Sequence, residues 1–201
     1  MKYLILAICF LPKLFYTHVS AQNPAVVVPD CRVNFIHISG STNVNSFQFK
    51  YNFQENDPFT IPANQTTTPD SSVYNIFVPV KEFKTTNTMM YHDFMHLLKE
   101  PQYPEIKIGI PVNTIYTISS KDSVKPEISI TLAGVTRHYK ILCHEVPCGK
   151  NTVTLNGSQV IDLTRFNLTP PEKFYGLVKV KKDVEIFFRL SFITETNRLK
   201  H

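Results

Sequence analysis

Between Ser46 and Phe53 the chain reads SFQFKYNF, with Phe47, Phe49, Tyr51 and Phe53 at every second position and Ser, Gln, Lys and Asn between them. Side chains of an extended strand alternate between two faces, so this period of two gives one dry face and one wet face. The same arithmetic holds for Tyr74, Ile76, Val78 and Val80, for Ile106, Ile108, Ile110 and Val112, and for Ile128, Ile130 and Leu132. It recurs in Val184, Ile186, Phe188, Leu190 and Phe192. Strands that are dry on one face only belong to antiparallel sheets, because buried parallel strands are apolar on both. One segment breaks the pattern. From about residue 88 to 99, Met90, Phe94, Leu97 and Leu98 fall at i, i+4, i+7 and i+8, the single apolar stripe of a helix, and Glu100-Pro101 ends it. Many strands with one short helix predict an all-β barrel or sandwich.

The 201 residues are enough for one globular domain, and 15 Phe with 9 Tyr exclude a charge-driven disordered chain. Residues 1–21 carry Lys2, an apolar run from Tyr3 to Leu11, and Val19-Ser20-Ala21 before Gln22, the layout of a cleaved secretory leader. The run is far shorter than the ~20 apolar residues a spanning helix needs. The expectation is therefore export, with residues 22–201 as a single domain that is secreted or periplasmic. Discounting Lys2 and Lys13 lowers the net charge from +5 to +3, too little to indicate nucleic acid. The segment from Gln54 to Ser72 is the clearest long loop, a candidate mouth, while Asn156-Gly157 and Pro170-Pro171 mark further breaks.

Catalytic signatures are absent from the sequence: there is no Gly-x-Ser-x-Gly elbow, no phosphate-cradling glycine loop and no His-Glu-x-x-His. His92 and His96 share a helix face as a metal pair requires, but no third ligand is evident and a solvated face explains them. Asp162 and Arg165 are spaced for an ion pair at a rim. Lys173, Lys179, Lys181 and Lys182 form a basic cluster that either meets anionic groups or protects a sheet edge. Cys143 and Cys148 flank His144-Glu145-Val146-Pro147, a turn that predicts a short-loop disulfide and leaves Cys31 as the odd thiol. The competing metal reading of Cys143, His144 and Cys148, with His138, does not match a familiar zinc spacing. Asn64, Asn156 and Asn167 match glycosylation acceptors, which matter only in a eukaryotic secretory pathway.

Several stretches, in order, resemble the YceI-like family of exported bacterial proteins. They begin with Ile38-Ser39-Gly40-Ser41-Thr42-Asn43 and Val78-Pro79-Val80-Lys81-Glu82-Phe83, and continue with Tyr103-Pro104-Glu105-Ile106, Leu132-Ala133-Gly134-Val135-Thr136 and Asp162-Leu163-Thr164-Arg165-Phe166. The polar Gln54 to Ser72 insertion resembles a Bacteroidetes-type branch. The resemblance implies a lipocalin-like antiparallel β-barrel of about eight strands with one short helix (about 88–99), an apolar cavity for a polyisoprenoid or similar amphiphile, and no catalytic machinery. The chain departs from the family pattern at His92 to Leu97 and at His138, so head-group contacts are not carried over there. The expected cavity wall comprises Phe47, Phe49, Phe53, Ile76, Val78, Phe94, Ile108, Ile110, Ile130, Leu132, Ile186, Phe188 and Leu190. The expected partner is an apolar-chain lipid or isoprenoid, with no cofactor, no metal, no nucleic acid and no stable membrane insertion, and a homodimer stays open. The rival is a non-catalytic envelope interaction domain whose barrel is filled by its own side chains.

Overall fold

The computed structural model of the chain describes residues 33–53, 58–61, 72–118, 121–146, 148 and 152–193. The leader expected over residues 1–21, Cys31 and Asn64 lie outside the described residues, as does most of the Gln54 to Ser72 loop. The strands are β1 (Phe35–Ser41), β2 (Ser46–Asn52), β3 (Phe59–Thr60), β4 (Val73–Pro79), β5 (Glu105–Pro111), β6 (Ser123–Val124) and β7 (Glu127–Leu132). They continue as β8 (Val135–Lys140), β9 (Cys143–Glu145), β10 (Thr152–Asp162), β11 (Glu172–Lys173), β12 (Val178–Lys179) and β13 (Asp183–Ile193). Helix α1 (Thr88–Leu97) lies between β4 and β5, and α2 (Val112–Ile118) follows β5. The all-β class is as expected, and every ladder is antiparallel except the short pairing of β3 with β13.

The strands form two main sheets rather than one closed ladder. One runs β2-β1-β13-β10-β9-β6 with β3 attached to β13, the other runs β4-β5-β7-β8, and β11 and β12 make a separate hairpin. At one corner a single long hairpin bends from sheet to sheet. Val124 pairs with Cys143 in the first sheet, Ile141 N donates to Pro126 O at 3.0 Å, and Glu127 then pairs with Lys140 in the second. At the opposite corner, Lys50 and Lys84 exchange two backbone hydrogen bonds of 2.8 Å. The expected lipocalin-like all-β architecture thus takes the form of two sheets joined at their corners, without one continuous ring of backbone hydrogen bonds.

Side chains close what the backbone leaves open. Rings follow one another along the seam between β2 and β4: Phe192 on Tyr74 (centroids 5.7 Å apart), Tyr74 on Phe59 (6.0 Å), Phe59 on Phe53 (5.1 Å) and Phe53 on Tyr51 (4.8 Å). The series continues from Tyr51 to Phe83 (5.6 Å), Phe83 to Phe94 (5.4 Å) and Phe94 to Phe49 (4.2 Å). Such pairs contribute about 0.5–1.5 kcal/mol each beyond the area they bury. The aromatic side of β2 therefore serves closure as much as core. Part of the predicted long loop takes part too, since Phe59 is drawn into the seam and the adjacent Ile61 is buried.

Two local readings of the sequence are corrected. Val112 does not extend the β5 strand but begins α2, whose Val112, Thr114, Ile115 and Ile118 are buried. A β-branched run such as VNTIYTI favours a strand by propensity, and tertiary burial overrides it here. Asn156-Gly157 is not a break either, for both residues lie inside the eleven-residue β10 opposite Arg189 and Phe188. A Cβ on Gly157 would come within 2.9 Å of the Phe188 ring and 3.1 Å of the Leu142 carbonyl oxygen, so the glycine marks close approach rather than a turn. The Ala133-Gly134 turn does behave as a hairpin loop, with φ of 46° and 79°. Tyr103 packs over Gly134, which brings two of the stretches that carry the family resemblance into contact.

Candidate apolar cavity

The inward positions of neighbouring strands are opposite one another in register, so the apolar faces merge into a continuous wall. Ile36 faces Phe188, Ile38 faces both Ile186 and Phe49, Ile76 and Ile130 both face Ile108, and Tyr74 faces Ile110. Between the sheets lies a cavity of about 90 Å³, measured as the volume open to the centre of a water-sized sphere. One water needs roughly 10–15 Å³ on that scale, so the space exceeds that of a single solvent molecule several times over. Nearly all its lining is carbon; Asp93 and Gln159 are the polar lining residues. A cavity of that chemistry stays dry and favours an apolar occupant.

The wall contains Phe47, Phe49, Val78, Phe94, Ile108, Ile110, Ile130, Leu132, Ile186, Phe188 and Leu190, all expected from the sequence. Phe53 and Ile76 are corrections. Phe53 belongs to the aromatic seam, and Ile76 is buried in the core without reaching the wall. Wall residues outside the expected set include Ile36, Ile38, Ile141 and Ile161, which no alternating run named above contains, and Ile106, Ile128 and Val184, which those runs placed on a dry face without assigning them to the wall. The alternation through Asn34, Ile36 and Ile38 is visible in the sequence and would have revealed the first two.

Helix α1 covers one side of the cavity. Asn87 caps it by accepting a hydrogen bond from Met90 N at 3.1 Å. Met90, Phe94, Leu97 and Leu98 then face inward as the stripe predicts, with Phe94 stacked on Phe49. His92 and His96 are exposed on the outer side, and no group of three potential metal ligands occurs among the described residues. Asp93 stands at the wall and is held by Lys173 of β11 at 2.8 Å.

The rim chemistry differs from the expected Asp162 to Arg165 pair. Asp162 caps the 3₁₀ turn Leu163–Phe166, accepting from Thr164 N at 2.9 Å and Thr164 Oγ1 at 2.6 Å, and it pairs with Lys182 at 2.7 Å. The hydrogen bond from Lys182, followed by that from the Thr164 hydroxyl, brings its carboxyl down to about 2. Arg165 lies instead over the Tyr139 ring at 5.3 Å, while Tyr139 stacks with Phe166. These contacts pack the 3₁₀ turn that follows β10 against β8. Burial raises the Tyr139 phenol above its ordinary range.

The expected Cys143 to Cys148 disulfide is also corrected. Cys143 is a free, fully buried thiol that faces the core from β9, its sulfur 3.7 Å from the Ile141 carbonyl. Cys143 is fixed in the sheet, because β9 is paired with β6 on one side and β10 on the other. Cys148 is disulfide-bonded, with a partner outside the described residues. Cys143 and His144 point to opposite faces of β9, which also dismantles the metal reading. Burial pushes the Cys143 thiol up to about 12, so it holds its proton at neutral pH and lacks the reactive thiolate. Mass mapping after iodoacetamide treatment should find Cys143 unmodified in the native protein and fully alkylated once it is unfolded.

These features define a class: a two-sheet, lipocalin-like β-protein with an apolar cavity between its sheets and a helix along one side of it. No family model and no curated protein matches the chain. Among solved structures, it is similar to the polyisoprenoid binding domain from Saccharophagus degradans implicated in plant cell wall breakdown, with a TM-score of 0.54 and 9% identity over 79% of this chain and 92% of that one. It is also similar to Burkholderia cenocepacia BcnA, with a TM-score of 0.54 and 16% identity over 82% of this chain and 98% of that one. A Campylobacter jejuni YCEI protein aligns over 94% of this chain and all of that one, at 10% identity and a TM-score of 0.48. The chain has the YceI-like, lipocalin-type fold that its sequence motifs resemble.

Proposed function

We propose that the protein is an exported, non-catalytic binding protein that holds the apolar chain of a lipid or polyisoprenoid-like amphiphile between its two sheets, for sequestration or transport. The observation that carries this reading is the carbon-lined cavity closed by Phe94 on Phe49, in a chain with a leader-like start. Burial supplies affinity at about 0.8 kcal/mol per CH₂, so two or three isoprene units outweigh a typical association cost. The Saccharophagus degradans domain of the same fold is a polyisoprenoid binding domain, which supports the same class of ligand here. Asp93, held by Lys173, and Gln159 are the polar groups of the lining available to a head group.

Native mass spectrometry of protein purified from its own host, followed by organic extraction, tests the proposal. A co-purifying amphiphile that a polyene fatty acid displaces is the expected result. Protein that is ligand-free and takes up no apolar probe would leave the filled interaction domain as the better reading.

A further inference from the structure

The tip of the β11 to β12 hairpin is conspicuously unburied for its composition. Phe174, Tyr175 and Leu177 are 67%, 109% and 74% exposed, and Val44 on the adjoining β1 to β2 turn is 68% exposed. Single exposed apolar residues are ordinary, but four on two adjacent turns form a patch that needs an occupant. The hairpin is clamped in place. Asn43 Nδ2 donates to Leu177 O at 2.8 Å, Asn43 Oδ1 accepts from Lys179 N at 3.0 Å, and Lys181 N donates to Ser41 O at 2.9 Å. Phe174 and Tyr175 have φ of 52° and 55°, a left-handed backbone that bulky side chains disfavour and Asn or Gly adopts easily. Aromatic rings are thus held out to solvent at two positions where a simple turn would carry neither.

Chemistry and position together narrow the occupant. From Glu172 to Lys182 the segment carries Lys173, Lys179, Lys181 and Lys182; Lys181 is exposed, and the other three sit in solvent-exposed pairs with Asp93, Glu172 and Asp162 that are worth little in water and can exchange for another anion. Their flexible stems allow the ammonium groups to reach anionic head groups while the tip sits deeper. Four apolar side chains are few beside the roughly 20–30 residues a side of a stable protein interface, but they suit shallow insertion into a bilayer. At the base of the hairpin, Pro171 and Val180 line the cavity, and Lys173 is paired with Asp93 on α1.

We propose that this hairpin docks the protein on an anionic bilayer, with Phe174, Tyr175 and Leu177 entering the acyl boundary and the lysines among the phosphates, so that the cavity opens toward the membrane that supplies its chain. The role of the cavity in this inference rests on the function proposed above.

Sedimentation of the full chain with vesicles of phosphatidylcholine and phosphatidylglycerol in equal parts, and with phosphatidylcholine alone, tests the docking. Stronger partitioning onto the anionic vesicles is expected. The triple variant F174S/Y175S/L177S should lower that partitioning about a hundredfold with an unchanged melting temperature, since all three side chains are exposed. Lys181→Glu should weaken binding to the anionic vesicles about fivefold or more and leave phosphatidylcholine unaffected. A parent protein that ignores both vesicles, a triple variant that binds as the parent does, or a triple variant whose only defect is loss of self-association would each overturn the docking. Uptake of a polyene fatty acid from solution, measured on the same samples, separates the two readings. Uptake without vesicle binding overturns the hairpin alone, whereas vesicle binding without uptake overturns the cavity reading and supports the hairpin.

Discussion

Phe192→Ala is expected to lower the free energy of unfolding by about 3–5 kcal/mol, whereas Ile130→Ala should cost well under that, about 2 kcal/mol or less. Phe192 is fully buried, with Phe59 at 5.6 Å and Tyr74 at 5.7 Å, and it joins β13 to the aromatic seam. Removing its ring both forfeits transfer free energy and opens a hole that paired strands cannot collapse into. Ile130 is just as buried by exposure, but its side chain already faces free space. Fewer close contacts are lost there, and the cavity term is largely present before the mutation. For a chain of this length, 3–5 kcal/mol corresponds to a fall in Tm of roughly 10 °C. Thermal or denaturant unfolding of the two variants beside the parent measures the difference. Equal and severe losses would mean that the interior is close-packed around Ile130, as the filled-barrel reading requires.

How far the sequence could be read depended on whether one element decided a feature alone. Period two in SFQFKYN and DVEIFFRLSFI is imposed by one buried sheet face, and β2 and β13 appear where that period predicts. The stripe of Met90, Phe94, Leu97 and Leu98 fixes the inner face of α1 in the same local way. Features set by a second element were not legible. The helical state of VNTIYTI comes from what buries Ile115 and Ile118, and Gly157 is explained only by the Phe188 ring on the neighbouring strand. Cys143 looked like half of a local bridge until two flanking strands showed it fixed in the core. Phe53 followed the same alternation as Phe47 and Phe49, yet it lies just beyond β2, where its ring meets the seam instead of the cavity. Alternation identifies an inward face, but only the second sheet determines whether that face meets a void or another ring.

Ile130→Phe is expected to abolish the binding of long chains while leaving the fold intact. Ile130 and its register partner Ile108 belong to β7 and β5, the central strands of the four-stranded sheet, and a ring added at that level narrows a cavity of only about 90 Å³. If about six methylenes are excluded, the lost burial is roughly 5 kcal/mol, or a several-thousand-fold weaker Kd. Octyl and hexadecyl probes distinguish occlusion from general damage, because a chain short enough to stop before the new ring should keep its affinity. Stability supplies the second readout. Overpacking a filled core costs about 1–3 kcal/mol, but a ring placed in an existing void gains contacts and should leave Tm level or raised. Loss of the hexadecyl probe at constant Tm is therefore the expected signature of a hollow carrier. Undiminished hexadecyl affinity would show that any bound chain lies outside the cavity.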